Sequence, residues 1–281
     1  MILEKMGILG PRGTHSEAAA LYFAKMQKEM LEPILYADIF EALSAMEEGK
    51  VESAFVPVEN SLEGAINVTL DFLAEAKDVE VTEELIWPVH NQLMGKGNAV
   101  EKIYSHAQPI SQCRDFLREH YPAAEIIKVA STAKAAQMVG ELSANSKAAA
   151  ICSRRAGEIF GLKPIAAEIQ DSSANCTRFF RVRKAQKIMP RRDGRALVIC
   201  QLEGSKSGSL YEVLGELAKR SVNMTRIESR PARTALGVYI FFLDLAIEDN
   251  WPDVMAAVSA MEKRSIWLRF CGAYPVSEAK I

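Results

Sequence analysis

The run Asp171-Ser172-Ser173-Ala174-Asn175-Cys176-Thr177-Arg178-Phe179-Phe180 sets an amide, a thiol, a hydroxyl and a guanidinium in four consecutive positions. A hydroxyl or amide can donate to a departing or carbonyl oxygen, and an Arg can grip a carboxylate through two parallel N–H bonds. In an extended chain side chains alternate between two faces, so Asn175 and Thr177 share one face and Cys176 and Arg178 the other. Without context the same run is a polar turn feeding a strand. Cys176 is then a small apolar filler, or a nucleophile in need of a His base, and Arg178 is half of a structural ion pair.

The other reactive residue types narrow the chemistry. His15, His90, His106 and His120 have no paired metal-ligand spacing, so no metal is expected. Gly10-Pro11-Arg12-Gly13-Thr14 lacks both the Gly-Lys-Ser/Thr of a phosphate loop and the Gly-x-Gly-x-x-Gly of a dinucleotide fold, so no nucleotide is expected either. The five Cys are odd in number, scattered, and never spaced Cys-x-x-Cys, which reads as reduced thiols. A net charge of −2 gives no reason to expect a nucleic-acid partner. No apolar run is long enough to span a bilayer, and Met1 to Gly7 do not read as a secretory signal, so a cytoplasmic protein without membrane contact is expected.

The elements that must position these residues follow a repeated unit, a short apolar strand ending in a small or hydroxyl residue where a helix starts. Met6–Leu9 runs into Gly10 to Ser16 and a helix with Ala18, Tyr22, Met26 and Met30 on one face; Thr14 and Glu17 have capping-box spacing. Ala54–Val58 runs into Glu59-Asn60-Ser61 and a helix marked by Ile66, Leu70 and Leu73. Ile103–Ser105, Ile126–Ala130 (leading to Ser131-Thr132) and Ala149–Cys152 repeat the pattern. Alternating strands and helices predict an α/β fold with a mainly parallel sheet, whose ligands sit beyond the carboxyl ends of the strands. Each polar junction is also a helix N-terminus, which favours anions by about 0.3–1 kcal/mol. Residues 181–195 carry seven Lys/Arg and one acid, read as a solvated linker. The order then becomes βαββαβ, a ferredoxin-like unit. These readings stop at an anion-binding α/β protein with a ferredoxin-like appendage.

From about residue 5 to residue 275 the chain resembles the prephenate dehydratase family. The resemblance rests on Gly10-Pro11-Arg12-Gly13-Thr14-His15-Ser16; on Pro57-Val58-Glu59-Asn60-Ser61, followed by Gly64, Thr69 and Asp71; and on Ser105-His106 and Gln112-Cys113. It also rests on Ser131-Thr132-Ala133, on Asn175 to Phe179, and on Gly208-Ser209-Leu210 with Glu228-Ser229-Arg230-Pro231. It implies a two-lobed, periplasmic-binding-protein-like catalytic domain over 1–183, a linker over 184–194 and an ACT regulatory domain over 195–275. The implied activity is the conversion of prephenate to phenylpyruvate with loss of water and carbon dioxide, in phenylalanine biosynthesis. Aromatisation makes the substrate its own electron sink, so no cofactor is implied.

The resemblance implies Thr177 as the catalytic donor to the leaving hydroxyl. Thr14 and Arg178 then grip carboxylate, with Ser16, Asn60, Ser61, Ser131, Thr132, Asn175 and Phe179 completing the substrate cleft. L-Phenylalanine is the implied effector, lined by Gly208, Ser209, Leu210, Asn223, Glu228 and Ser229, in a homodimer or homotetramer joined through the ACT domains. Two residues depart from the family pattern. His15 stands where Phe or Tyr is usual, and either fills that space or gives the site a pH dependence near neutrality. Ser209 stands for Ala, which weakens the effector expectation without removing it. No mutase-like segment precedes the first motif, which implies a monofunctional enzyme. Arogenate as substrate, and an amino-acid sensor without catalysis, are the alternatives.

Overall fold

A computed structural model of the protein describes residues 3–186 and 188–280. Lys187, inside the expected linker, lies outside the described residues, as do Met1, Ile2 and Ile281. Three sheets organise the chain. The first orders Val276–Glu278, Val79–Pro88, Cys176–Lys184, Ser53–Asn60, Leu3–Leu9 and Met30–Tyr36, with the two-residue strand Gly64–Ala65 paired to Ser53–Asn60. The second orders Lys163–Ala166, Gln92–Gly95, Ala148–Cys152, Lys102–Ser105 and Glu125–Lys128. Both are mixed: Cys176–Lys184 runs antiparallel to both its neighbours, and Gln92–Gly95 runs antiparallel to Ala148–Cys152.

The chain leaves the first sheet after Val79–Pro88 and returns to it at Cys176–Lys184. The two crossing segments bond to each other, Val89 N–H to Asn175 O at 2.9 Å and Ile169 N–H to Asn91 O at 3.0 Å. Two lobes joined by a paired double crossing place a cleft between them. Close to this junction, Ser153 Oγ donates to Gly13 O at 3.1 Å and Arg155 bonds both Glu17 carboxylate oxygens at 3.1 and 3.2 Å. Gly13 has φ +91°, and a side chain there would meet Ala156 Cα at 3.2 Å, so glycine permits both the turn and the approach of the lobes.

The helix His15–Gln27 buries Ala19, Ala20, Phe23 and Ala24; of the predicted stripe, Ala18 and Tyr22 are half-buried against that core, while Met26 and Met30 are exposed. It ends at Lys28 in the left-handed conformation, so Met30 starts the next strand instead of continuing the helical face. Ser53–Asn60 is central and almost wholly buried. Pro57 has no N–H for the ladder, and the register shifts beside it: Arg178 pairs with Glu59 and Phe179 with Pro57, leaving Val58 bulged.

The third sheet orders Met224–Pro231, Tyr239–Glu248, Asp193–Gln201 and Trp267–Tyr274, all antiparallel, and its elements run βαββαβ. Its helices Ser209–Ala218 and Trp251–Glu262 cover one face through Val213, Leu217, Val254, Val258 and Met261. The other face is not solvated. Leu197, Ile199, Phe242, Cys271 and Tyr274 share one apolar cluster with Phe180, Val182 and Val81 of the first lobe. The chain then continues past residue 275, and Val276–Glu278 pairs in parallel with Val79–Pro88. The basic run 181–195 is not simply a solvated linker. Arg181 is 1% exposed among Glu4, Glu29 and Glu83, and Arg195 bonds Glu84 at 2.6 Å. Among the described residues no helix is long and apolar enough to cross a membrane.

Candidate active site

The bulge at Val58 sets Asn60 opposite Thr177 and Glu59 opposite Arg178, as adjacent rungs of one antiparallel ladder. Alternation sends the first rung to the cleft and the second to the third sheet. The Asn60 amide is fixed by its surroundings. Its Oδ1 accepts from the backbone N–H groups of Leu62 at 3.0 Å and Glu63 at 3.2 Å, an Asx turn. Its Nδ2 therefore faces Asn175 Oδ1 at 2.9 Å, Thr177 Oγ1 at 3.1 Å and Cys176 O at 3.2 Å. Thr177 Oγ1 is thus an acceptor, and among the described residues its own proton has no acceptor. A hydroxyl that accepts a hydrogen bond becomes a better donor. Asn175 Nδ2 passes the network on to Gln112 Oε1 at 3.1 Å, which also accepts from Asn91 Nδ2 at 3.4 Å.

Around this network lies a cavity of about 270 Å³ lined by Asn60, Asn175, Thr177, Ser131 and Thr132, with His15, Val89, Asn91, His106, Gln108, Pro109, Gln112 and Ala130. Ser131 caps the helix Thr132–Glu141 by accepting from Lys134 N–H at 3.0 Å, so that helix opens its N-terminus on the cavity. No Lys or Arg lines this space among the described residues. The cations stand in a second compartment of about 510 Å³, which shares His15 and is walled by Trp87, Pro88, His90, Ser153, Arg154, Arg155, Glu158 and Glu168. His15 Nδ1 accepts from Trp87 Nε1 at 3.4 Å, and its enclosed Nε2 has no partner among the described residues. Burial, with His90 nearby, pushes the His15 imidazole down to about 4, so the ring is neutral at pH 7. The expected option of titration near neutrality is corrected on that ground.

Of the expected substrate residues, Asn60, Ser131, Thr132 and Asn175 meet Thr177 at the smaller cavity, and the others do not line it. Arg178 is corrected from carboxylate clamp to ion-pair partner. Its Nε and Nη2 bond Glu84 at 2.8 and 3.0 Å, Nη1 bonds Glu59 at 2.8 Å, and Nη2 bonds Asp244 at 2.7 Å. Burial opposes its charge, but Asp244 and Glu84 more than offset that and hold the guanidinium protonated. Phe179 is core, stacked on Phe55 with centroids 5.2 Å apart. Thr14 caps its helix by accepting from Glu17 N–H and donates to Leu9 O. Ser16 is buried in that helix's first turn. Ser61 joins the strand start, donating to Ala174 O at 2.7 Å and accepting from Cys176 N–H at 2.9 Å. Cys176 lines neither compartment.

Asn91, Gln112, His106, Arg154 and Arg155 were not singled out as site residues in the sequence. Ser105-His106 and Gln112 stood in quoted motifs at a strand end and along a helix, which was the available signal. In the third sheet Gly208, Ser209 and Leu210 line a cavity of about 270 Å³ with Lys206, Tyr211 and Phe241. Asn223, Glu228 and Ser229 lie outside it, at or just before the strand Met224–Pro231. Among the described residues no group of three His, Cys, Asp or Glu could hold a metal ion.

Comparison with known proteins adds to this geometry. Residues 6–187 match the model of a family described as prephenate dehydratase. A prephenate dehydratase of Methanocaldococcus jannaschii is 32% identical over 268 residues, covering 95% of this chain and 96% of that protein. The crystal structure of a prephenate dehydratase from Arthrobacter aurescens in complex with L-Phe aligns with a TM-score of 0.84 at 31% identity, covering 96% of this chain and 90% of that one. A structure described as GqqA, a novel type of quorum quenching acylase, aligns with a TM-score of 0.85 at 25% identity, over 97% of this chain and 98% of that one.

Proposed function

The chain belongs to the prephenate dehydratase family, and on that premise we propose how its cleft carries out the decarboxylating dehydration of prephenate to phenylpyruvate, a carbon–oxygen lyase reaction. The observation that carries the reading is the Thr177 hydroxyl, which lines the cleft, accepts from Asn60 and among the described residues has no acceptor for its own proton. The ring carboxylate leaves as carbon dioxide, and its bonding electrons pass through the diene and expel the hydroxyl on the opposite ring carbon. That oxygen departs with those electrons and takes a proton from solvent, leaving as water. Thr177 donates a hydrogen bond to it; an alcohol is too weak an acid to protonate it unaided, so Thr177 acts as an orienting donor.

The carboxylates are held by the N-terminus of the helix Thr132–Glu141 at Ser131 and Thr132, and by Arg154 across His15, while Arg155 is engaged by Glu17. The absence of Lys and Arg beside Thr177, among the described residues, supports this division. Anions gripped close to the departing oxygen's donor would oppose the charge developing there.

The C-terminal βαββαβ sheet acts as an ACT domain that binds L-phenylalanine and lowers activity. The cavity at Gly208, Ser209 and Leu210 and the L-Phe complex of the similar Arthrobacter protein support this. Ser209 Oγ is spent on Glu203 O and Lys206 O and is not free to bind an effector. Asn223, Glu228 and Ser229 reach such a cavity across a homodimer contact between C-terminal sheets, which the exposed Ile227, Tyr239 and Tyr211 support. The test is purified protein given prephenate and, separately, arogenate, with and without phenylalanine. Phenylpyruvate formed from prephenate and suppressed by phenylalanine is the expected result. Phenylalanine from arogenate alone, or no turnover of either, overturns it.

A further inference from the structure

The two adjacent rungs Thr177/Asn60 and Arg178/Glu59 face opposite ways, one to the cleft and the other to the third sheet. Thr177 and Asn60 are joined at 3.1 Å, and Arg178 and Glu59 at 2.8 Å. Whatever moves the second rung moves the first, because each pair shares two continuous strands. The second rung is held from three sides. Glu84, wholly buried on the neighbouring strand, takes two bonds from Arg178 and one from Arg195. The third sheet supplies Asp244, 2.7 Å from Arg178, and Arg226, whose Nε lies 3.0 Å from Glu59 Oε2. That last contact is an ion pair whose N–H is not aligned for a hydrogen bond.

Three features distinguish this cluster from a passive ion pair. First, charge balances: Glu59, Glu84 and Asp244 face Arg178, Arg195 and Arg226. Second, satisfaction is incomplete, since Asp244 Oδ1 and the nearby Tyr274 hydroxyl are buried without partners among the described residues. A buried network with spare acceptors has a second arrangement within reach. Third, Arg226 also contacts Glu228 at 3.5 Å, and Glu228 belongs to the expected effector set. A chain of contacts thus runs Glu228, Arg226, Glu59 and Arg178, ending one residue from Thr177 on one strand and one residue from Asn60 on the other.

We propose that Arg178 is a positioning residue for Thr177, and that Asp244 and Arg226 are the groups through which the third sheet sets the Thr177/Asn60 rung. The effector part rests on the reading of that sheet as phenylalanine-binding; the positioning part does not.

The experiment uses the full chain with Asp244→Asn, Arg226→Gln and Arg178→Lys. Asp244→Asn keeps shape and removes charge, and Arg226→Gln repeats the test at the cluster's edge should the first variant fail to fold. Steady-state kinetics on prephenate are run with and without phenylalanine, and phenylalanine binding is followed separately by calorimetry. Each variant is expected to lose on the order of tenfold in kcat with KM within about twofold, as a displaced donor requires. In Asp244→Asn and Arg226→Gln phenylalanine still binds, while its half-inhibiting concentration rises by about tenfold, a typical coupling. A variant with lowered melting temperature but unchanged kcat overturns the positioning role and leaves a structural one. A rise in KM for Arg178→Lys with kcat held also overturns it, because that pattern marks a ground-state substrate ligand. If the unmodified protein binds no phenylalanine, the effector reading fails, and the kcat values alone still decide the positioning claim.

Discussion

Asn60→Asp is the most informative perturbation of the cleft. The substitution is isosteric, and the retained oxygen can still accept from Leu62 and Glu63 N–H, so the Asx turn survives. What changes is the other end of the side chain. The Nδ2 donor to Asn175 Oδ1, Thr177 Oγ1 and Cys176 O becomes a carboxylate oxygen. Thr177 must then turn its proton toward that oxygen and away from the cleft, while Asn175 Oδ1 and Cys176 O lose a partner. Each lost neutral bond costs roughly 1 kcal/mol of stability, and leaving buried acceptors unpaired brings the total to about 2–3 kcal/mol. The kinetic cost is larger, because the donor to the leaving hydroxyl is removed; that role is worth about 10²–10³ in rate. The assay is phenylpyruvate formation at a temperature well below the variant's melting point, with Asn60→Ala beside it. Asn60→Ala loses the donor but does not re-aim Thr177, so Asn60→Asp should be slower than Asn60→Ala by roughly tenfold or more, with similar KM. An Asn60→Asp variant as fast as Asn60→Ala would refute the orientation argument.

Three further outcomes follow from the same structure. The folded His15 imidazole sits at about 4 against an ordinary 6.5, so the unfolded chain binds the proton first and stability falls as pH drops from about 6.5 toward 4. For this half-buried ring the loss by pH 5 is about 1 kcal/mol, and urea unfolding of His15→Phe at pH 7 and pH 5 should lack that component. Burial alone would raise the Glu17 carboxyl, but Arg155 and Gly13 N–H outweigh it and hold it below the usual range. Its stabilisation is therefore present above about pH 4.5 and lost as pH falls through the lowered value. Glu17→Gln should cost about 2 kcal/mol by thermal or urea unfolding at pH 7, and flatten that acid limb. Gly272 has φ +126°, and a side chain there would meet Val81 O at 2.2 Å, so Gly272→Ala should part the third sheet from the first lobe. Strain and overlap together cost about 2–4 kcal/mol, read as a lower denaturation midpoint.

How far the sequence could be read depended on the distance over which partners are recruited. The βαββαβ third sheet was legible because each element carries its own periodicity, from the stripe Leu210, Val213, Leu214, Leu217 to the apolar Tyr239–Glu248. The alternation that set Thr177 and Arg178 on opposite faces was legible for the same local reason. Val79–Pro88 was not, because Glu80, Glu83 and Glu84 hide a buried strand whose neighbours, Cys176–Lys184 and Val276–Glu278, come far later in the chain. Arg178 shows the limit most plainly. Its side chain does seek carboxylates, but those of Glu59, Glu84 and Asp244, which only the fold brings together. The Asn60–Thr177 bond spans 117 residues, and no local pattern encodes it.

The central claim is that the Thr177 hydroxyl acts on the leaving oxygen in the transition state. Thr177→Ala and Thr177→Ser, assayed with prephenate across a full range of concentrations, test it directly. A fall in kcat of about 10²–10³ is expected for Thr177→Ala with KM within a few-fold, and substantial recovery in Thr177→Ser, which keeps the hydroxyl. Near-normal kcat in Thr177→Ala, or a rise confined to KM, would contradict it.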